Sequence, residues 1–339
     1  MTMRCISVLR TFCAAVLMAS LAACGPLTFT IGSAPADRLT HTVVIPAERM
    51  MPDRVALIDV SGMIINASPR GLLYQGENPV SLLHEQLQEA RCDSRVKSVV
   101  LRINSPGGTV TASDAMYRQI KRFREETGKP VVALMMDVAA SGGYYVACAS
   151  DEIVAYPTTI TGSIGVILQT ISVKPALDRI GIHAEALTTG PNKDAASPLS
   201  TLTDEHRAVL TAMVDDFFQR FVATVRENRP NIPQDQFATV TDGRVVSGER
   251  AVELGLVDRL GDLESAFARA KELAGVRDAE LIRYHRQNTY VGSPYAATPT
   301  PGADQVPVQV NLLQVNLPDA YHLPGASVGF LYLWQPALP

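Results

Sequence analysis

The sequence is organised around one stretch, Asp137-Val138-Ala139-Ala140-Ser141-Gly142-Gly143-Tyr144-Tyr145-Val146. It follows the apolar run Val131-Val132-Ala133-Leu134-Met135-Met136, which is typical of a buried strand in a parallel sheet. A short helix is expected over residues 144–149, so Ser141 stands among small residues where a strand turns into a helix. That geometry exposes a hydroxyl and aims helix-start N–H groups at developing negative charge. A serine that only caps a helix is the commoner alternative for such a turn.

Composition indicates a globular protein of one large domain or two modest ones. The chain has 339 residues, of which 47% are hydrophobic and 19% are charged. Its net charge of −4 gives no reason to expect a nucleic acid partner. The sequence has no zinc-type spacing of cysteines or histidines, so we expect neither a metal nor a cofactor. Strand-like and helix-like segments alternate over residues 54–275, which predicts an α/β fold with a mostly parallel sheet.

The N-terminus has the features of a lipoprotein signal peptide. A basic start precedes an apolar stretch over residues 11–23, which is too short for a standard transmembrane helix. Small residues before Cys24 match the bacterial lipobox, so we expect residues 1–23 to be removed and Cys24 to carry lipid. Residues 24–53 then read as a tether that holds the domain off a membrane of the cell envelope, outside the cytoplasm. Which membrane is left open, and an ordinary signal peptide with an incidental cysteine is the alternative.

The C-terminal part, residues 276–339, is expected to be a proline-rich extension. It ends in the apolar run Val328-Gly329-Phe330-Leu331-Tyr332-Leu333-Trp334. An apolar, aromatic end of this kind is expected to dock on the domain or on a neighbouring subunit.

A second loop joins the Ser141 turn on the same rim of the predicted sheet. Asn104-Ser105-Pro106-Gly107-Gly108 follows a buried strand and precedes a helix. Loops at the C-terminal ends of parallel strands form one functional edge, so this loop and Ser141 are expected to face each other. Its backbone N–H groups can point into a site, although a plain turn between a strand and a helix is the alternative.

A serine nucleophile needs a base, and the sequence directs attention to a lysine. None of the six histidines lies in a recognisable catalytic context, and His206 is expected on the outer part of a charged helix start. A histidine-based triad is not excluded by this. A lysine amine acts as a general base where burial depresses its pKa. Lys193 lies in a small-residue loop, unlike the helical positions of most other lysines. Composition alone favours a lysine that is merely solvated, as most lysines are.

Four motifs in one order carry a family resemblance. They are Asn104-Ser105-Pro106-Gly107-Gly108, Ala140-Ser141-Gly142-Gly143-Tyr144-Tyr145, Thr161-Gly162-Ser163-Ile164-Gly165-Val166 and Gly190-Pro191-Asn192-Lys193-Asp194. Together they resemble the signal peptide peptidase A (protease IV) family of Ser–Lys serine peptidases. The likeness covers residues 54–275, and the spacing from Ser141 to Lys193 matches the single-domain members of that family.

The resemblance implies a role for each matched residue. Ser141 corresponds to the nucleophile, Lys193 to the general base and Ser163 to the serine that orients the lysine. Backbone N–H groups would form the oxyanion hole, those of Gly107 or Gly108 together with that of Gly142.

The resemblance also implies a fold, a substrate class and an assembly. The fold is the Clp-protease/crotonase type, a spiral of ββα units with a mostly parallel sheet. Members form homo-oligomeric rings, so a tetramer or octamer that acts on hydrophobic peptides, such as cleaved signal peptides, is expected. The lipid anchor and the C-terminal extension depart from the family, which usually has a transmembrane N-terminal segment.

Two other function classes are compatible with the same fold. A catalytically inactive or gated envelope lipoprotein would use the domain for assembly or binding. A crotonase-like acyl-CoA enzyme would share the oxyanion architecture, but export from the cytoplasm would separate it from CoA thioesters.

Overall fold

The computed structural model describes residues 38–68, 76–286, 292–296 and 329–334. The predicted signal peptide, Cys24 and the first part of the tether lie outside the described residues. Within these described ranges, no helix has both the length and the apolar character needed to cross a membrane.

The elements follow each other in a mostly alternating order. The strands are β1 (Leu39–Ile45), β2 (Asp53–Ser61), β3 (Val96–Ser105), β4 (Gly107–Thr109), β5 (Val131–Ala140), β6 (Glu152–Ala155), β7 (Ile160–Gly162), β8 (Val245–Ser247), β9 (Arg259–Leu260), β10 (Ala279–Arg286) and β11 (Leu331–Leu333). The helices are α1 (Pro79–Cys92), α2 (Val110–Thr127), α3 (Gly142–Ala147), α4 (Lys174–Arg179), α5 (Asp204–Asn228), α6 (Phe237–Val240), α7 (Gly248–Glu253) and α8 (Leu263–Leu273).

The main sheet has the strand order β1-β10-β2-β3-β5-β6-β9. Every neighbouring pair from β10 to β9 is parallel, and β1 is antiparallel at one edge. The central strands β2, β3 and β5 contain continuous runs of fully buried apolar residues, as expected of strands covered on both faces. Helices α1 to α3 pack on one face and α8 on the other. The prediction of an α/β fold with a mostly parallel sheet is confirmed.

Short strands branch from the central strands of the main sheet. The first half of β5 pairs with β6 and its second half pairs with β7. After β2 and β3 the chain adds a short extended piece before the next helix, namely Ile64 and β4, which form a parallel bridge. Each strand, short extended piece and helix together make a ββα unit, and successive units wind into the predicted spiral.

The sheet extends beyond the predicted peptidase domain, residues 54–275, at both ends. Strand β1 lies within residues assigned to the tether, and β10 lies within residues assigned to the extension. Strand β10 inserts between β1 and β2, and its parallel partner β2 is more than two hundred positions earlier in the chain. Local sequence patterns carry no signal for so distant a pairing.

Two buried arginines, one on each of the strands that flank β2, share the carboxylate of Asp59 on β2. Arg102 Nε lies 2.6 Å from Asp59 Oδ1, and Arg283 Nη2 lies 2.6 Å from Asp59 Oδ2. The side chains of all three residues are less than a tenth exposed. Both guanidinium groups also donate to the carbonyl oxygen of Ala296, at 3.0 and 2.9 Å, and Arg102 donates to the carbonyl oxygen of Pro294. The cluster therefore fixes residues 292–296 against the sheet.

Replacing the shared carboxylate should destabilise the protein strongly. In Asp59→Ala the two guanidinium groups remain buried without their counter-ion, so we expect the free energy of unfolding to fall by about 3–5 kcal/mol. Chemical denaturation measures this change. Glu253→Ala is the control, because the ion pair between Glu253 and Arg250 is solvent-exposed and is expected to contribute less than about 1 kcal/mol. Similar small losses in both variants would contradict the account of the cluster.

Candidate active site

Ser141 forms a sharp elbow between β5 and α3. Its φ is +53° and its ψ is −114°, a conformation that costs a residue with a side chain free energy and that clusters at functional sites. Its N–H donates to the carbonyl oxygen of Gly162 at 2.8 Å, and its own carbonyl oxygen accepts from Tyr145 N at 2.8 Å. The elbow is therefore fixed from the strand side and from the helix side.

The hydroxyl group of Ser141 is enclosed. The residue is 1% exposed, and its Oγ makes no hydrogen bond to any of the described residues. Buried hydroxyl groups normally have a partner. The Oγ of Ser141 is therefore free to form a hydrogen bond with a base or to attack a reacting group.

The three glycines expected to form the oxyanion hole come together at this elbow. A Cβ built on Gly142 would lie 3.1 Å from Gly107 Cα and 3.1 Å from Gly108 N. A Cβ on Gly107, whose φ is +107°, would lie 2.7 Å from Gly142 N. Contacts this close leave no room for a side chain, so the loop before α2 and the start of α3 meet backbone to backbone.

The hydrogen bonds around β4 distinguish Gly108 from Gly107. The N–H of Gly107 donates to Ser105 Oγ at 3.1 Å. On the edge of β4 that faces Ile64, Gly107 O accepts from Ile64 N and Thr109 N donates to Ile64 O, both at 2.9 Å. Because successive peptide groups of a strand point to opposite edges, the N–H of Gly108 points away from Ile64. Gly108 is therefore the better candidate for an oxyanion donor.

Ser163 lies next to the elbow. Gly162 at the end of β7 pairs with Ala140 at the end of β5, so the following residues, Ser163 and Ser141, are neighbours at the strand ends. Ser163 is almost fully buried and has a φ of +51°. Its N–H donates to the carbonyl oxygen of Arg244 at 2.7 Å, which fixes the backbone at this point.

Lys193 makes no hydrogen bond to the Ser141 hydroxyl group among the described residues of the single chain. It lies in a series of turns after Gly190 and is exposed. Among the described residues, no ion pair or side-chain hydrogen bond involves its amine. The structure therefore brings Ser141, Ser163 and the three glycines together and leaves the lysine outside this group.

His206 fixes the loop that carries Lys193, and the prediction that this histidine is exposed is wrong. His206 was expected on the outside of a helix start, but it is only 5% exposed. Its Nε2 forms a 2.6 Å hydrogen bond with the carbonyl oxygen of Pro191 and lies 3.7 Å from Asp194 Oδ1. The side chain of the N-cap Thr203 accepts from His206 N, and helical side chains near an N-terminus lean back over the preceding loop. That offset of three from the cap is the sequence signal for burial at position 206.

Asp194 adds a second contact between residues of the Lys193 loop and its surroundings. Its Oδ2 accepts a 2.6 Å hydrogen bond from Ser200 Oγ. This hydrogen bond is the main reason why the pKa of Asp194 lies below its ordinary value, and the nearby His206 adds to the effect. The ionised carboxylate therefore links the loop of Lys193 to Ser200, which precedes α5.

An aromatic cluster lies directly behind the elbow. The ring of Tyr145 in α3 contacts those of Tyr117 and Phe221 edge to face, with centroid distances of 5.3 and 5.1 Å. Burial raises the pKa of Tyr145 to about 12, so its hydroxyl stays protonated and donates to Asp114 Oδ1 at 2.8 Å. Strand β11 from the C-terminal extension lies against β4 and adds Tyr332 to this cluster.

The strain at Ser141 predicts that replacing this serine by glycine leaves a more stable protein than replacing it by alanine, although both variants lack the hydroxyl group. We expect Ser141→Gly to exceed Ser141→Ala in free energy of unfolding by about 1 kcal/mol. Glycine adopts the observed φ without the roughly 1–3 kcal/mol of strain, which outweighs the roughly 0.4–1 kcal/mol that its flexible unfolded state costs.

Chemical denaturation of both variants measures this difference. Because each variant loses the same hydroxyl group, its loss cancels in the comparison, and the difference reports the backbone strain less the cost of glycine's flexible unfolded state. A glycine variant that is less stable than the alanine variant would contradict the strain.

Comparison with known proteins gives a consistent set of relatives. Residues 123–277 match the family described as Peptidase family S49. The chain is 36% identical over 235 residues to Protease 4 of Salmonella typhi, covering 69% of this chain and 37% of that protein. It is 34% identical over 234 residues to a protein of Synechocystis sp. named as a protease, covering 69% of this chain and 79% of the relative. It is 31% identical over 236 residues to a protein of Enterococcus faecium named as signal peptide peptidase SppA, covering 70% and 68%.

Two solved structures are similar at lower levels. One is a membrane-bound stomatin-specific protease, with 14% identity and a TM-score of 0.44, covering 65% of this chain and 86% of that chain. The other is ClpP1 from Listeria monocytogenes, with 16% identity and a TM-score of 0.40, covering 62% and 93%. The chain thus spans little more than a third of the Salmonella typhi protein and most of the other relatives and structures described above.

Proposed function

The chain belongs to peptidase family S49 and is a serine peptidase, and we propose that it hydrolyses peptide bonds with Ser141 as nucleophile and Lys193 as general base. One observation carries the proposal. A buried serine with a positive φ stands at a strand-to-helix elbow, and the residue after it, Gly142, lies against the glycine backbone of a second loop. That arrangement suits attack on a carbonyl group whose developing charge needs N–H donors.

The proposed reaction uses each group in turn. The neutral amine of Lys193 takes the proton of Ser141 Oγ while Oγ attacks the carbonyl carbon of the scissile peptide. The N–H groups of Gly142 and Gly108 stabilise the oxyanion. The protonated amine then gives its proton to the departing nitrogen, which leaves an acyl-enzyme. Water, deprotonated by the same amine, attacks the ester and releases the acid and the free Ser141; Ser163 orients the amine throughout.

Assembly is part of the proposal because the amine of Lys193 is exposed in the single chain. Large apolar side chains are also exposed before the lysine loop and on α5, among them Ile171, Ile180, Ile182, Leu187 and Met213. Exposed apolar side chains in such numbers favour contact between copies of a protein. We therefore propose a homo-oligomeric ring, a tetramer or octamer, in which neighbouring subunits complete each site.

The proposed substrates are hydrophobic peptides such as cleaved signal peptides. Support comes from the name of the Enterococcus faecium relative, a signal peptide peptidase, and from the apolar surroundings of the elbow. Two β-strand edges beside Ser141 suit an extended peptide.

Alanine variants of the proposed pair test the chemistry. We expect Ser141→Ala and Lys193→Ala each to lower the hydrolysis of a hydrophobic peptide at least about a thousandfold, because neither nucleophile nor base can then be replaced. Lys174→Ala is the matched control, since Lys174 is a lysine whose amine pairs with Asp178 on α4. A fluorophosphonate should label Ser141 in the control only. Near wild-type hydrolysis by Lys193→Ala would remove the lysine from the mechanism.

A mixture of the two inactive proteins tests how the site is assembled. If neighbouring subunits supply the serine and the lysine of one site, mixed oligomers contain some intact pairs and recover part of the activity. No recovery after confirmed subunit exchange would show that each chain completes its own site.

Lipid anchoring is the third part of the proposal. The lipobox pattern ending at Cys24 supports a mature protein held in the bacterial cell envelope, with its catalytic domain outside the cytoplasm. We expect the membrane-extracted protein to begin at a lipidated Cys24, as read by intact mass, and Cys24→Ser to lose the lipid and leave the membrane fraction. Retention of the serine variant in that fraction would argue against this anchor.

The gated alternative has one observation in its favour. Strand β11 lies directly on the strand that carries Gly107 and Gly108, so the groove beside the elbow is filled. A filled groove is compatible with a peptidase that is switched off.

A further inference from the structure

The end of the C-terminal extension lies as an added strand in the groove beside Ser141. Strand β11 is antiparallel to β4, with Tyr332 opposite Gly108. The pairing continues beyond the strand ends, since Val110 N donates to Phe330 O at 3.3 Å and Trp334 N donates to Pro106 O at 2.8 Å.

The other edge of β11 is paired as well. Leu331 and Ile167 exchange two hydrogen bonds of 3.0 Å each, N–H to carbonyl oxygen in both directions. Residues 329–334 are thus hydrogen-bonded on both sides, to β4 and to the segment that follows Ser163. These two segments are the ones that carry the proposed oxyanion and orienting residues.

The register brings the Tyr332 carbonyl group to the proposed oxyanion donors. Hydrogen-bonded pairs alternate in an antiparallel ladder, so the bonds of Val110 and Trp334 make Tyr332 and Gly108 the hydrogen-bonded pair between them. A Cβ built on Gly107 would lie 1.9 Å from Tyr332 O and 2.7 Å from Gly142 N. The carbonyl oxygen of Tyr332 therefore lies against the same side of Gly107 as the N–H of Gly142.

The Tyr332 side chain fills the aromatic cluster behind the elbow. Its ring stacks on Tyr145 at 5.2 Å and lies 4.6 Å from the ring of Phe221. Its hydroxyl donates to the carbonyl oxygen of Phe217 at 2.8 Å, and the residue is fully buried. The pocket thus has an aromatic wall and one hydrogen-bond acceptor at its far end, which is the lining expected for a tyrosine or another aromatic side chain.

We propose that residues 329–334 are a built-in pseudosubstrate that occupies the peptide groove and keeps the peptidase autoinhibited. The proposal rests on the proposed function and adds two features to it. The extension must leave before a substrate pairs with β4, and the pocket that holds Tyr332 selects peptides with an aromatic residue at that position.

The physical basis is competition between two strands for one pair of edges. Main-chain hydrogen bonds to β4 and Ile167 are available to any extended peptide, and the pocket adds selectivity. Because the extension belongs to the same chain, its effective concentration at the groove is high, and a free peptide competes poorly.

Fluorophosphonate labelling of Ser141 in the full-length protein tests the inhibition. Tyr332→Ala removes the side chain that fills the pocket, so we expect the labelling rate to rise about tenfold or more. Leu331→Pro removes an N–H that bonds to Ile167 and leaves the aromatic cluster unchanged, and it should raise the rate as well. Tyr295→Ala is the matched control, because Tyr295 is a half-exposed tyrosine of the same extension that contacts Glu264 instead of the groove. It should leave the rate unchanged.

A binding measurement separates this proposal from the proposed chemistry. A fluorescent peptide with the sequence Gly-Phe-Leu-Tyr-Leu-Trp should bind Tyr332→Ala at least about tenfold more tightly than it binds the wild-type protein, and replacing its tyrosine by alanine should weaken that binding. Fluorescence anisotropy reads this without any turnover.

The possible results distinguish a failure of the autoinhibition inference from a failure of the proposed nucleophile. Equal labelling of Ser141 in wild type, Tyr332→Ala and Leu331→Pro, together with equal peptide binding, would mean that β11 is only a structural strand and would overturn the inference. Peptide binding that appears only when Tyr332 is removed, without labelling of Ser141 in any variant, would keep the groove and its occupant but remove the proposed nucleophile.

Discussion

The structure depends on one close contact between two backbones. Gly142 at the start of α3 approaches Gly107 in β4 so closely that a Cβ on Gly107 would lie 2.7 Å from Gly142 N and a Cβ on Gly142 would lie 3.1 Å from Gly107 Cα. This contact sets the distance between the Ser141 elbow and the loop after β3. It requires glycine on both sides, and the same requirement leaves backbone N–H groups exposed to whatever lies in front of the elbow.

Several features of the fold serve that contact. Ser105 Oγ donates to the carbonyl oxygen of Gly62 at 2.6 Å and accepts from Gly107 N, which fixes the ends of β2 and β3 to each other. Strand β5 exchanges β6 for β7 as its partner partway along its length, and this bend carries Ser141 toward β4. The positive φ of Ser141 is tolerated because packing on both sides of the elbow determines its conformation.

The same geometry leaves two strand edges without partners inside the core of the fold, and the C-terminal extension covers them. Unpaired edges attract any extended segment, which is a hazard for a stable protein and an opportunity for a peptidase. The extension is bound at two places: the buried pair Arg102 and Arg283 binds the carbonyl groups of residues 292–296, and β4 binds β11. Main-chain bonds and one aromatic side chain make the second attachment specific yet exchangeable.

The sequence by itself determined the parts of the protein that local patterns encode. Buried apolar runs predicted β3 and β5, and ordered motifs predicted the family and the elbow at Ser141, because periodicity and turn chemistry act over a few residues. Only the tertiary structure decided that β1, β10 and β11 join the sheets, that His206 is buried against the loop of Lys193, and that Lys193 is exposed in the single chain. These features depend on contacts between residues far apart in the chain, and such contacts form only when the whole backbone has folded.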